Sequence, residues 1–183
     1  MTSTDIKLAS NALILLGHQP ISSFTEPTAG AEVASNLYES SYKTLLTQYM
    51  WRFATKKAVA ARLSTTPINE FDYMYQIPTD CLYLIETSDF NYELFEDKIY
   101  SNSAELNIEY IYDVSPDRLP AYYVKMFEFF LASQFSIPVT GDMNKADLYY
   151  KMYEKQLRIA KFTDASQRPN NVIESTPYTD VRN

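Results

Sequence analysis

Apolar residues recur at helical spacing over four stretches of the chain and alternate over the stretch between the second and the third. Residues 4–17 put Ile6, Ala9, Leu13 and Leu16 on one stripe, with Thr4 as N-cap and Gly17 as stop, which predicts a helix. A loop over 18–28 carries Pro20 and Pro27. A second helix is predicted over about 30–50, with Ala34, Leu37, Tyr38, Ser41, Leu45 and Tyr49 inward and Glu32, Glu39, Lys43 and Gln48 in solvent. At Trp51-Arg52-Phe53-Ala54 the period changes, and residues 51–63 read as strand, although their Ala-rich second half suits a helix as well.

Alternation is clearer further on. Phe71 to Ile77 alternates and is broken by Pro78-Thr79-Asp80; strands follow at Cys81–Glu86, Tyr92–Phe95 and Ile99–Ser101, the last two joined across Glu96-Asp97-Lys98 as a hairpin. Leu106, Ile108, Tyr110 and Tyr112 then alternate with Asn107, Glu109, Ile111 and Asp113. Residues 67–114 thus predict an antiparallel sheet with one acidic face, within a sheet insertion over about 51–114. Helices resume over about 119–135, where Pro120 suits a first position, Tyr123, Met126, Phe127, Phe130, Leu131 and Gln134 follow at helical spacing, and Pro138 is the stop. The last helix, about 141–163, opens at Thr140 or Asp142; Ala146, Tyr149, Tyr150, Tyr153, Leu157 and Ala160 face inward and Lys151, Lys155, Arg158 and Lys161 outward. The fold class expected is mainly α with an inserted antiparallel β-sheet, an α+β domain over residues 1–165. Its four-helix core has helix-helix-sheet-helix-helix order.

Beyond 165 the periodicity is gone. Pro169 and Pro177 forbid helix continuation, and Val172, Ile173, Tyr178 and Val181 are spaced apolar anchors in a polar strip. Residues 166–183 are expected to be an extended C-terminal arm. With Arg168, those four residues are the candidate assembly contacts, because a strip with alternating anchors can add along a sheet edge or lie in a groove.

Composition sharpens the picture in three places. Sixteen Tyr, ten Phe and one Trp make 15% of the chain aromatic, which suits either a Tyr-rich core or a surface that is wet before assembly and buried afterwards. Of the net charge of −7, the acidity lies almost wholly in residues 67–120, where Lys98 and Arg118 stand against twelve acids. Such a segment repels nucleic acid, which disfavours a DNA-binding module. The single cysteine, Cys81, forms no internal disulfide, no apolar run approaches the roughly 18–20 residues of a membrane span, and no basic leader precedes an apolar stretch. A soluble intracellular product is expected.

Candidate chemistry is sparse. His18 is the sole histidine, placed just past a helix end, so no relay with a second histidine exists. Cys-x-x-Cys pairs, His-x-x-x-His pairs, calcium loops and glycine-rich phosphate loops are missing from the sequence. The central acids offer carboxylate pairs of the kind glycosidases use, as any twelve-acid segment does. The expectation is a protein that is not an enzyme and uses no cofactor.

Five landmarks, in order, resemble the head-to-tail adaptor family of short-tailed bacteriophages, known as tail tubular protein A or tail accessory factor. They are Ala12-Leu13-Ile14-Leu15-Leu16-Gly17 with Pro20-Ile21-Ser22-Ser23-Phe24, and Ala29-Gly30-Ala31-Glu32 running through Leu37-Tyr38 and Leu45-Leu46 to Trp51-Arg52-Phe53-Ala54. Next come Tyr75-Gln76-Ile77-Pro78-Thr79-Asp80-Cys81-Leu82 and Ile108-Glu109-Tyr110-Ile111-Tyr112-Asp113-Val114. Last are Leu131-Ala132 and the series Ala146, Tyr153, Leu157 and Ala160 to Asp164-Ala165. Trp51 and Phe53 are landmarks of the helix-to-sheet corner, Pro78 and Asp80 of a turn. The resemblance implies a virion protein of the tail or neck, assembled in the host cytoplasm. Its partners would be the portal protein, the tail nozzle protein and further copies of itself in a ring, a dodecamer, with genomic DNA passing through unbound. The competing readings are a tail-associated glycan hydrolase using a carboxylate pair and an interaction module that forms no ring.

Overall fold

The computed structural model describes residues 2–68 and 70–167. Its first helix, α1 (Ser3–Leu15), is capped by Thr2, whose hydroxyl accepts from the Asp5 N–H while the Asp5 carboxylate accepts from the Thr2 N–H. Thr2, and not Thr4, is the N-cap, because only Thr2 has an acid three residues on to close the reciprocal pair. At the other end Gly17 takes a left-handed φ of 84°, and the N–H groups of Gly17 and His18 donate to the carbonyls of Ile14 and Leu13. α2 (Ala29–Thr47) starts on a Thr28 cap and stops three residues before the expected 50, where the chain turns through Tyr49 toward Trp51.

A 3₁₀ turn (Arg52–Ala54) leads into seven strands: β1 (Thr55–Val59), β2 (Ala61–Arg62), β3 (Tyr73–Gln76), β4 (Cys81–Thr87), β5 (Tyr92–Phe95), β6 (Lys98–Ser101) and β7 (Asn107–Tyr112). All pairings are antiparallel, but they form two sheets instead of the one expected: β1-β7-β4 and β2-β3-β6-β5. The expected strand over 51–63 divides at Ala60, which is buried and whose N–H donates to the Leu106 carbonyl. The β5–β6 loop is two residues, Glu96-Asp97, with Glu96 at φ 55°, the positive φ that a tight hairpin demands.

α3 (Ala121–Thr140) runs through Pro138, so the expected stop there does not occur. The hydrogen bond that Pro138 cannot donate would have gone to the Gln134 carbonyl; both residues are exposed, so water can serve that carbonyl, and the helix ends instead at Gly141 with φ 67°. α4 (Met143–Ala165) opens on Asp142, whose carboxylate accepts from the N–H groups of Asn144 and Lys145. The fold is α+β: among the described residues, four helices and antiparallel sheets inserted between the second helix and the third.

Two apolar clusters hold these layers together. The larger joins all four helices to one face of the first sheet through Leu13, Tyr38, Leu45, Trp51, Phe127, Tyr153 and Ile111. The smaller lies between the sheets, where Ile108 and Tyr110 of β7 meet Tyr75 of β3 and Ile99 of β6. β7 is therefore covered on both faces, Ile111 toward the helices and Ile108 and Tyr110 toward the second sheet.

Candidate functional site

The landmark residues occupy joints of the fold. Trp51 is fully buried at the corner between α2 and β1, and its Nε1–H donates to the Leu45 carbonyl at 3.0 Å, one of the last-turn carbonyls that α2 leaves without an intrahelical partner. Rings close around it: Tyr49 at 4.8 Å, Tyr123 at 5.2 Å and nearly perpendicular, Phe53 at 5.9 Å. Phe53 is half-buried and also packs edge-on against Tyr123. The Tyr123 hydroxyl is buried without a hydrogen-bond partner among the described residues, and burial pushes its pKa well up.

Asp164, which closes the last landmark of the resemblance but had no role assigned from the sequence, ties the corner to α4. It is 1% exposed, accepts from the Arg52 N–H at 3.0 Å and from the Tyr122 hydroxyl at 2.8 Å, and makes no ion pair among the described residues. Its partners lie 112 and 42 residues away in sequence, so no local signal points to it.

Pro78 and Asp80 form the expected turn between β3 and β4, with the Cys81 N–H donating to the Pro78 carbonyl. The Asp80 carboxylate takes Lys56 Nζ at 2.6 Å and the Tyr110 hydroxyl at 3.2 Å, and the Lys56 hydrogen bond holds its pKa below the ordinary value. Lys56 also sits 3.9 Å from the centroid of the Tyr112 ring. Cys81 is half-buried, and burial pushes its thiol up, away from a nucleophilic thiolate. Arg168, Val172, Ile173, Tyr178 and Val181 lie outside the described residues.

A cleft of about 480 Å³ at the end of the first sheet brings Lys57, Glu86 and Glu109 together. Glu86 and Glu109 are register partners on β4 and β7, and Glu109 takes Lys57 Nζ at 2.6 Å. This is the carboxylate pair that a glycosidase reading requires, but Glu86 is exposed and Glu109 is occupied by a lysine, whereas a general acid is kept protonated by an apolar pocket. No group of three or more His, Cys, Asp or Glu is placed to hold a metal among the described residues. No described helix is long and apolar enough to cross a membrane.

An unexpected apolar surface lies on α4. The lysines and Arg158 do lie mostly outward, but Leu148, Met152, Ile159 and Phe162 lie outward too, exposed by 53%, 42%, 47% and 77%. They follow the 4, 7 and 3-residue steps of one helical stripe opposite the buried Tyr153, Ala160 and Asp164, with Lys155 at its midpoint. Further exposed apolar side chains flank the β5–β6 hairpin, with Phe95 on the outer face of β5, Leu94 on the other face and Phe90 ahead of the strand. The chain matches no protein-family model, and no curated protein is significantly similar to it.

Proposed function

We propose that this chain is a structural protein of a short-tailed bacteriophage, the adaptor that joins head to tail. It forms a ring, a dodecamer, between the portal protein and the tail nozzle, and lets the genome pass without gripping it. The observation that carries the reading is the exposed apolar stripe of α4, a surface that a chain working alone would leave in water and a subunit of an assembly covers. Two further features support it. The residues behind the family resemblance serve as joints, with Trp51 packed at the corner and Asp80 in the turn, which suits a scaffold. The acid excess of residues 67–120 suits a conduit wall that does not retain phosphate.

The function is tested by co-sedimentation with the portal protein of the same phage. The full chain is expected to move from the top of the gradient to the portal fraction in fixed proportion. A chain that stays at the top at portal concentrations well above micromolar refutes the assignment. The hydrolase reading would use Glu86 and Glu109; release of reducing sugar from peptidoglycan, abolished in Glu86→Gln, would establish it instead.

A further inference from the structure

We propose that the apolar stripe of α4 is covered by the β5–β6 hairpin of a second copy of this chain, in a head-to-tail contact. The proposal deepens the ring reading given above and rests on it for the expectation of closure, but its occupant follows from surface chemistry. The stripe runs from Leu148 to Phe162, about 21 Å at 1.5 Å per residue. Its centre is not apolar: Lys155 stands there, with Arg158 and Lys151 along one flank. Lys151 is paired with Asp147 at 2.6 Å, whereas Lys155 and Arg158 have no acidic partner among the described residues.

This midpoint lysine decides between two ways of covering the stripe. A two-fold pairing of α4 with α4 of another copy, centred on the stripe, brings Lys155 against the same residue of its partner and buries two like charges together. The occupant must therefore bring apolar side chains with an acid beside them. The hairpin of this chain does so. On its outer face Phe95, about half exposed, packs on Tyr100 at 5.7 Å, and the exposed Glu93 lies two residues before Phe95 on the same side of β5, whereas Leu94 lies on the other side beside the buried Ile99. Glu93 has no cationic partner among the described residues, and Lys98, which partners Glu96 and Asp97, is the one cation in the hairpin. Four-residue strands span about 13 Å, enough to lie over the middle of the stripe. β5 is also an edge strand, so its outward side is unpaired by the fold itself. Because stripe and hairpin are different surfaces of one chain, each copy keeps one of each free and the contact propagates, its closure into a ring being what the proposed function requires of it.

The test uses the full chain in sedimentation velocity, raised to about 1 mM, with thermal melting to show that each variant is folded. Wild type is expected to form species larger than a dimer. Lys155→Glu and Glu93→Lys are each expected to weaken association by roughly tenfold or more, and the double variant Lys155→Glu/Glu93→Lys to restore it. Met152→Asp and Phe95→Asp, both at exposed positions, are each expected to be monomeric. Mixed at equal concentration they should give a dimer and nothing larger, since only one intact stripe meets one intact hairpin. A wild-type chain that stays monomeric, association that stops at a dimer, or Phe95→Asp associating like wild type overturns the proposal. Portal co-sedimentation reads the assembly role without reference to this contact, so a chain that binds portal but whose hairpin variants assemble normally loses this inference and keeps the function.

Discussion

Replacing Trp51 by alanine strikes the joint between helices and sheets. The indole is fully buried, is in ring contact with Tyr49, Phe53 and Tyr123, and donates to the Leu45 carbonyl. A buried Trp removes about 200 Å² from water, which at about 25 cal/mol per Å² sets an upper bound near 5 kcal/mol. Measured truncations of this kind cost about 3–5 kcal/mol, the cavity and the orphaned carbonyl included. For a chain of this size about 4 kcal/mol lowers Tm by about 8–16 °C. Trp51→Phe keeps most of the ring packing and loses the N–H donor, so its cost should be about half as large. Circular dichroism melts and urea titrations of the three proteins measure both steps. Because Trp51 is the only tryptophan, wild-type emission reports the same site and should be blue-shifted until unfolding. A Tm for Trp51→Ala within about 2 °C of wild type would refute the corner as the fold's joint.

Three further outcomes are expected. Burial raises the pKa of Tyr38, Tyr42, Tyr75, Tyr110, Tyr122, Tyr123 and Tyr153, that of Tyr110 to about 12. The stability this contributes is whole below about pH 10, where unfolded tyrosine ionises, and is lost as pH rises through the folded values. Absorbance near 295 nm should therefore titrate in two groups, the second together with loss of ellipticity; a single non-cooperative titration near pH 10 would contradict the burial. Asp164→Leu leaves the Arg52 N–H and the Tyr122 hydroxyl without their acceptor and should cost about 2–4 kcal/mol, whereas Asp164→Asn, which keeps an oxygen acceptor, should cost less than half of that in urea titrations. Deletion of residues 166–183 should leave Tm nearly unchanged and abolish co-sedimentation with portal; a truncated chain that still binds portal with full affinity would remove the arm from the assembly contact.

The four helices were legible because each buries one stripe, and the period of a stripe survives any uncertainty at its ends. The ends themselves depended on particular partners: Asp5 chose Thr2 over Thr4, and the exposure of Gln134 and Pro138 let α3 run past a proline. The strands were legible singly, since alternation tells which side chains share a face. It does not tell which strand lies alongside, and so the division into two sheets at Ala60 was hidden. The outer stripe of α4 was present in the sequence as Leu148, Met152, Ile159 and Phe162, but the lysines and Arg158 interleaved with it gave that face the look of an ordinary solvated one. Asp164 stood in the last landmark of the resemblance, but its role as the tie at the corner had no local signal, because its two partners are brought to it only by the packing of α4 on the corner.

One image tests most directly the proposal that the chain is a ring subunit that docks on a portal. Negative-stain microscopy of the full-length protein mixed with the portal ring of the same phage should show a second ring, coaxial with the portal and added to one end of it, with its channel open. Portal rings that look the same with and without the protein would contradict the account.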